Sequence, residues 1–457
     1  MSPTRPRTCK PAAGLVDRSD TYAVIGAGSS GLAATKNLHR QGFPVVCFER
    51  EDDIGGNWNF GKPHSRVYAS THTISSKPFT QYPDFPMPDS FPDYPHHSQL
   101  LAYFQAYADH FGLREHIRFA TTVERVEPYD GGRLWDVRVT NPDGTSETGR
   151  HAGVVIANGH NWDPKIPGYE GLDTFTGEVV HSADYKGPDP LRGRRVLVVG
   201  AGNTGCDIAV EAAQNAAHAW HSTRRGYWYA PKYLGGKPSD QVADLMLGLR
   251  LPLRVRQWML SLTLKSMVGD VTRFGLKKPD HKFLQTHPIV NSNLLYYVGH
   301  GDITPKPDIA SVDGARVRFV DGTEVEPDVI VLATGYLVRF DFLDHAHLNW
   351  RGDRPHLYQH VFHPEYDNLF VAGLIQPDSG QFTLAHWQTM AIGEYLLARR
   401  DRPELAARFR ELVRADVEHA YDAGAHYTDS TRHYFEVAHL HYLAGLERDI
   451  NLLEGAA

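Results

Sequence analysis

The sequence lacks three features that would indicate other classes of protein: clustered cysteines, a long apolar run and an excess of basic residues. Its 457 residues include only Cys9, Cys47 and Cys206, whose separation excludes a disulfide framework and a CxxC redox centre. The net charge of −7 leaves no basic surplus to neutralise a nucleic-acid backbone, so we predict no nucleic-acid partner. No apolar run reaches the ~18 residues of a membrane span, so membrane association is not expected.

The lack of apolar segments and of cysteines also predicts the nature of the amino terminus and the cellular compartment. The first 20 residues contain no apolar segment typical of a signal peptide, and we predict a flexible arm over residues 1–20. Few cysteines suit a reducing cytosol, which indicates a cytoplasmic location. The rest of the chain is long enough for more than one domain with a buried core.

A glycine loop stands between an apolar strand and a helical pattern near the start of the chain. The strand ends at Ile25, and Gly26, Gly28 and Gly31 follow with the spacing GxGxxG. Such glycines permit a tight turn, close approach of the backbone to a pyrophosphate, and packing of the helix on the strand. The next apolar run ends at Glu49, where a carboxylate typically binds the ribose of a dinucleotide. This combination predicts a dinucleotide with a free ribose, as in FAD.

A second glycine loop is followed by residues of the opposite charge. It consists of Gly200, Gly202 and Gly205, and the strand after its helix leads into Arg224 and Arg225 instead of an acid. Arginine forms bidentate hydrogen bonds with phosphate, so this loop is predicted to bind the 2′-phosphate of NADPH. Arginines are also common on solvated turns, but their position directly after the strand favours a ligand. Two dinucleotides on one chain indicate hydride transfer between them.

Between the two loops lies a longer pattern. Residues 175–186 read FTGEVVHSADYK, which fits FxGxxxHxxxYK. Other distinctive segments are GGNW (55–58), KPFTQYPDFPMP (77–88), ANG (157–159), GHGDITPKPDI (299–309), DVIVLATGY (328–336), GLIQP (373–377) and DSTRHYFEV (429–437). Together these segments resemble the flavin-containing monooxygenase family of class B flavin-dependent monooxygenases. The resemblance covers nearly the whole chain after residue 20.

The resemblance implies an α/β fold with two doubly wound Rossmann-like dinucleotide-binding domains. An NADPH-binding domain of residues 191–319 would be inserted into a discontinuous FAD-binding domain of residues 21–190 and 320–457. A helical insertion at about 240–275 combines apolar stripes with Arg250, Arg254, Arg256 and Lys265, a pattern that can lie on a membrane surface. Pro252 interrupts it, which favours a lid or a subunit contact. Folds of this kind often dimerise, so a homodimer is one expected assembly.

The resemblance also implies the residues that bind each cofactor. For FAD they are Gly26, Gly28, Ser29, Ser30, Gly31, Glu49, Asn57, Trp58, Val123 and Gln388. For NADP they are Gly200, Gly202, Asn203, Thr204, Gly205, Ser222, Arg224, Arg225 and Thr334. No metal is expected.

The reaction implied by the resemblance is the NADPH- and O₂-dependent transfer of one oxygen atom from a flavin C4a-hydroperoxide to nitrogen or sulfur of a small molecule. The flavin carries this chemistry, so the protein positions it, excludes water and supplies hydrogen bonds. The candidate catalytic residues are Ile74, Ser75 and His181. Ile74 stands where many family members have an asparagine near the oxygenated edge of the flavin, and His72, Ser75 and Ser76 are the polar candidates to replace it. His181 is better explained as a tie between domains.

Three alternatives remain open. Baeyer–Villiger insertion next to a ketone is disfavoured, because that subgroup typically has tryptophan at the position of Tyr185. The absence of the usual asparagine at the position of Ile74 keeps this alternative open. A flavoprotein reductase or oxidase without oxygen transfer shares the two-loop fold, but a disulfide reductase needs a cysteine pair that this sequence does not supply. A non-enzymatic redox sensor or scaffold would bind the same nucleotides without turnover.

Overall fold

Two sheets organise the chain in a computed structural model, which describes residues 14–248, 253–283, 285–286, 288–419, 421 and 434–456. Their strands are β1 Leu15–Ile25, β2 Val45–Phe48, β3 Ile117–Arg118, β4 Thr122–Tyr129, β5 Leu134–Thr140, β6 Ser146–Ile156, β7 Glu178–His181, β8 Arg195–Val199, β9 His218–Ser222, β10 Ile303–Lys306, β11 Val329–Leu332 and β12 Leu369–Val371. The α-helices of the described residues are α1 Ser29–Arg40, α2 Lys77–Thr80, α3 His97–His110, α4 Asn203–Asn215, α5 Ser239–Gly248, α6 Leu253–Val268, α7 Leu294–His300, α8 Gln381–Asp401, α9 Pro403–Ala415 and α10 His439–Glu454.

The first sheet has the order β3-β2-β1-β6-β5-β4, with β12 pairing the end of β6. Strands β1, β2, β3, β6 and β12 run parallel, and β4 and β5 form an antiparallel meander on β6. The four residues of β2 are all buried, as expected for a short parallel strand covered on both faces. Helix α1 packs on α8, and α8 packs on α10, so the carboxyl-terminal helices cover the first glycine loop's helix.

The second sheet is entirely parallel, with the order β10-β9-β8-β11-β7. Strands β7 and β11 lie in ranges that the predicted boundaries give to the FAD domain, so those boundaries are wrong for these two strands. The reason is that β11 is an apolar strand buried on both faces, and β8 and β7 supply its two hydrogen-bonding neighbours. The chain thus leaves the first sheet after β6, builds the second, and returns with β12.

The structure also contains smaller sheets of two or three strands. They are Ile309–Asp313 with Arg316–Phe319 and Glu324–Val325, Tyr229–Ala230 with Ile289–Val290, Tyr233–Leu234 with Lys237–Pro238, Asp163–Pro164 with Tyr336–Leu337, Trp350–Arg351 with Arg354–Pro355, and Gln376–Pro377 with Glu436–Val437.

The predicted flexible arm over residues 1–20 is wrong in its last part. Strand β1 begins at Leu15, and residues 15–18 pair in parallel with residues 148–151 of β6. Residues 15–18 are not buried, but the sheet satisfies their backbone groups and Arg18 forms an ion pair with Glu147. Residues 1–13, including Cys9, lie outside the described residues.

The predicted helical insertion corresponds to α5, α6 and the short 3-10 helix Val271–Phe274. Arg250 and Pro252 lie outside the described residues. Within the described part of the chain, no helix combines the length and apolar character needed to cross a membrane.

Candidate functional site

Two glycines of the first loop are required by the protein itself. Gly26 has φ +99°, and a Cβ atom there would lie 2.8 Å from the carbonyl oxygen of Ala157. A Cβ atom on Gly31 would lie 1.7 Å from the carbonyl oxygen of Gly26. The tight turn and the contact between helix α1 and the loop therefore exclude any side chain at these positions.

Gly28 is different, because none of the described residues requires a glycine there. Its backbone is extended, with φ −76° and ψ −170°, a conformation open to any residue. Among the described residues other than its two chain neighbours, a Cβ atom would meet only the Cα of Gly56, at 3.8 Å. The space in front of Gly28 adjoins the start of α1, which has no side-chain cap and no acidic residue in its first turn. Free N–H groups beside an open backbone fit a pyrophosphate.

Glu49 lies at the end of β2, directly against this loop. Its carboxylate accepts hydrogen bonds from the backbone N–H of Ala27 at 2.6 Å and of Glu51 at 2.9 Å. Burial raises the pKa of Glu49, and these two hydrogen bonds oppose the rise. Each oxygen keeps a free lone pair, so the carboxylate can also accept from a ribose hydroxyl. Val123 lies near this end, because the preceding Thr121 donates its N–H to the carbonyl of Glu49.

The GGNW segment packs against the same loop. Gly55 donates its N–H to the carbonyl of Ala27, and the 3-10 helix Gly56–Trp58 follows. The side-chain oxygen of Asn57 accepts from the N–H of Arg66 at 2.6 Å. Trp58 packs edge-on against Phe382 of α8. The structure thus places Asn57 and Trp58 beside the residues predicted to bind FAD.

Gln388 is fully buried in α8, and its amide is held on both sides by the protein. It accepts from the N–H of Gly373 at 2.8 Å and donates to the hydroxyl of Tyr442 at 2.7 Å. Gly373 in turn touches α1, because a Cβ atom there would lie 2.1 Å from the hydroxyl oxygen of Ser30. Gln388 therefore fixes the GLIQP turn against the first loop.

Tyr82 is a residue of this site that the sequence did not single out. Its hydroxyl donates to the carbonyl of Ser29 at 2.6 Å and so fixes the first turn of α1. Tyr82 lies in the segment 77–88, which was assigned only by its resemblance to the family pattern. Periodicity could not reveal the contact, because the two residues are distant in sequence.

The second loop repeats the arrangement of the first. Gly200 has φ +119°, and Cβ atoms on Gly200 and Gly205 would lie 2.2 Å and 2.0 Å from the carbonyl oxygens of Ala333 and Gly200. Gly202 is extended, with φ −69°, and a Cβ atom there would meet no atom within 4 Å among the described residues other than its chain neighbours. Helix α4 then begins at Asn203 without a side-chain cap. A second pyrophosphate fits here for the same reasons.

Several predicted NADP-binding residues lie around this loop, and their polar groups form hydrogen bonds with other residues of the protein. Ser222 donates to the carbonyl of Pro307 at 2.7 Å, and Thr334 donates to that of Lys165 at 2.6 Å. Asn203 accepts from the N–H of Val290 at 2.9 Å. Thr204, in the first turn of α4, is partly exposed beside Gly205.

The two arginines after β9 have different surroundings. Arg225 forms a bidentate ion pair with Asp280, at 2.8 Å and 3.1 Å, and this partner lowers the pKa of Asp280 to about 2. Arg224 is exposed, and its guanidinium has no carboxylate partner among the described residues. Arg224 is therefore the arginine that is free to bind a phosphate.

The comparisons with known proteins agree with this geometry. Residues 19–451 match the model of the flavin-binding monooxygenase-like family. Dimethylaniline monooxygenase (N-oxide-forming) 2 of Cavia porcellus is 36% identical over 388 residues, which cover 80% of this chain and 72% of that protein. The chain belongs to the flavin-containing monooxygenases. It is thus a flavin-binding oxidoreductase whose substrates are O₂ and a small molecule.

Solved structures with this fold include other flavin monooxygenases. S-allyl-L-cysteine S-oxygenase from Allium sativum superposes with a TM-score of 0.66 at 22% identity, over 96% of this chain and 89% of that one. Cyclohexanone monooxygenase superposes with a TM-score of 0.70 at 21% identity, over 96% and 98%. These likenesses confirm the α/β fold with two Rossmann-type units.

The predicted catalytic residues of this flavin-containing monooxygenase lie in two places. Ile74 and Ser75 lie in the loop before α2, where the Ile74 side chain is 47% exposed and the Ser75 hydroxyl is hydrogen-bonded to Thr80. His181 ends β7 in the second sheet, accepts from the N–H of Ala183 at 3.0 Å and packs edge-on against Tyr336. Burial lowers the pKa of His181, which favours its neutral form. These contacts give His181 a structural role at the turn into the linker.

The two cysteines that the structure of this flavin-containing monooxygenase describes do not form a redox pair. Cys47 lies in strand β2 and Cys206 in helix α4, and both are free and buried. Burial raises the pKa of both thiols, which disfavours the reactive thiolate.

Proposed function

We propose that the first loop binds FAD, the second binds NADPH, and the enzyme transfers one oxygen atom to a nitrogen or sulfur atom of a small molecule. The observation that carries the proposal is the pair of open glycines, Gly28 and Gly202, each beside an uncapped helix start. Glu49 next to the first loop and Arg224 next to the second distinguish a free ribose from a 2′-phosphate.

Bound FAD and NADPH supply the hydride transfer and the activation of O₂. The protein's own contribution is to hold the two nucleotides, to orient them and to exclude water. The N-terminus of α1 and Glu49 would hold FAD, and the N-terminus of α4 and Arg224 would hold NADPH. The loop of residues 73–76 would face the reacting edge, with Ile74 as an apolar group that excludes water without donating a hydrogen bond.

The choice between nitrogen, sulfur and carbonyl substrates is tested directly. The purified protein should be yellow, and the flavin released by heating should have the mass of FAD. With NADPH in air enriched in ¹⁸O₂, amines or sulfides should gain one labelled oxygen atom per molecule. A ketone converted to a labelled ester in place of these products would indicate the Baeyer–Villiger reaction. NADPH oxidation without any labelled product would contradict oxygen transfer.

The apolar residue at position 74 leads to a prediction about efficiency. We expect Ile74→Asn to lower the ratio of H₂O₂ released to product formed by about 2- to 12-fold, the factor that corresponds to one net hydrogen bond of ~0.5–1.5 kcal/mol. The exposed side chain can be replaced without disturbing the core. The measurement is H₂O₂ and product per NADPH consumed, with Ile74→Val as the apolar control. An unchanged ratio in Ile74→Asn would show that another group already supplies the polar contact.

A further inference from the structure

The segment of residues 65–76, which contains Ile74, is contacted at its start, middle and end by the linker and by the second unit, the part of the chain that contains strands β7 to β11. At its start, Lys186 of the linker donates to the carbonyl of Ser65 at 2.7 Å, and the N–H of Ala69 donates to the carbonyl of Lys186 at 2.9 Å. On its other side, residues 71–73 of the segment pair with residues 95–97 of its own domain. It therefore lies between the two units.

The middle of the segment is bound to two carboxylates of α4. The hydroxyl of Tyr68 donates to Asp207 at 2.8 Å, and the hydroxyl of Ser70 donates to Glu211. Tyr185, from the pattern of residues 175–186, also donates to Glu211. Burial raises the pKa of Asp207, and its hydrogen bonds oppose this rise. A buried carboxylate without such donors is strongly disfavoured, so these contacts keep the segment on α4.

The end of the segment is bound by the residues that lead into the helical insertion. Lys232 donates to the carbonyl of Thr73 at 3.2 Å, and Asp240 at the start of α5 accepts from the N–H of Ser76 at 2.6 Å. These two contacts hold the backbone on either side of Ile74 and Ser75. The insertion thus reaches the loop that contains the candidate catalytic residues.

We propose that Asp207, Glu211 and Asp240 are positioning residues of the second unit that set the place of residues 65–76 and couple nucleotide binding at the second loop to the side chain at position 74. The proposal rests on the proposed function for the identity of the nucleotide. The coupling is short, because α4 begins at the nucleotide loop and Asp207 lies one turn further along the same helix. A nucleotide that orders the first turn of α4 thereby orders its two carboxylates and the segment that they hold.

Hydrogen–deuterium exchange of the holoenzyme tests, without turnover, whether Asp240 positions residues 65–76. In Asp240→Ala, the peptide that contains Ser76 should exchange about tenfold faster, the order expected when one charge-assisted hydrogen bond is lost. Asp240→Asn keeps an acceptor oxygen and should restore most of the protection. Asp173→Asn, at an exposed aspartate far from the segment, is the matched control and should exchange like the wild type. Unchanged exchange in strand β2 would show that the variants remain folded.

The coupling is tested by adding NADP⁺ to the same proteins. In the wild type, NADP⁺ should slow exchange in residues 200–207 and also in residues 65–76. In Asp240→Ala, NADP⁺ should slow exchange in residues 65–76 less than it does in the wild type, and the ratio of H₂O₂ to product should rise about tenfold. Asp240→Asn should restore both values. Protection of 200–207 without any effect on 65–76, or wild-type exchange at Ser76 in Asp240→Ala, would overturn the proposal. No protection of 200–207 would instead overturn the proposed nucleotide site, and the coupling with it.

Discussion

Gly28→Val is expected to give a folded but colourless protein. The extended backbone of Gly28 accommodates a β-branched residue, and a Cβ atom there approaches only the Cα of Gly56. The substitution therefore costs the protein little, whereas it places two methyl groups where the pyrophosphate of FAD would lie. The expected result is the complete loss of bound flavin with a circular dichroism spectrum and a melting temperature like those of the apoprotein.

Two further variants separate the loss of a ligand from the loss of the fold. Gly202→Val makes the same change in the second loop and should leave the protein yellow while it abolishes NADPH binding. Gly31→Ala places a Cβ atom 1.7 Å from the carbonyl oxygen of Gly26, so this variant should be destabilised with or without flavin. A Gly28→Val protein that purifies with a full complement of flavin would remove the first loop as the FAD site.

The sequence could predict the two loops because their chemistry is local. Gly26, Gly28 and Gly31 act through the backbone of residues that are adjacent in the chain, and the same holds for the second loop. It could also identify Arg224 and Arg225 as candidates, but not choose between them. That choice depends on Asp280, 55 residues away, whose ion pair with Arg225 forms only in the folded protein.

Local sequence patterns could not predict the domain boundaries or the contacts that hold the site, because both depend on residues that are distant in sequence. Residues 15–18 are not buried and carry no alternating apolar pattern, so their strand is defined by its pairing with β6. Strand β11 joins the second sheet because β8 offers it a hydrogen-bonding edge, which no composition shift marks. The contact between Asp240 and Ser76 spans 164 residues, and an aspartate at a helix start is ordinarily explained as a cap.

Arg224→Ala is expected to weaken NADPH binding by about 10- to 150-fold, the range for one lost charge-assisted hydrogen bond of ~1.5–3 kcal/mol. NADH has no 2′-phosphate, so its binding should hardly change. The dissociation constants of both nucleotides can be measured from the rate of anaerobic flavin reduction as a function of nucleotide concentration. The limiting rate at saturation should stay near that of the wild type, because the proposed contact of Arg224 is with the 2′-phosphate, at the end of the nucleotide far from the hydride.

The control for Arg224→Ala is a substitution of the neighbouring Arg225. A single substitution of Arg225 is unsuitable, because this arginine is paired with Asp280. Its loss would leave the carboxylate of Asp280 without its arginine partner, and that negative charge beside the proposed phosphate site would itself repel NADPH. The double variant Arg225→Ala with Asp280→Asn removes the ion pair as a unit and leaves the net charge unchanged. Since partly exposed ion pairs contribute ~0–1 kcal/mol, this variant should bind NADPH within about fivefold of the wild type. Equal losses for NADPH and NADH in Arg224→Ala would show a structural arginine, and a large loss confined to the double variant would assign the 2′-phosphate to Arg225.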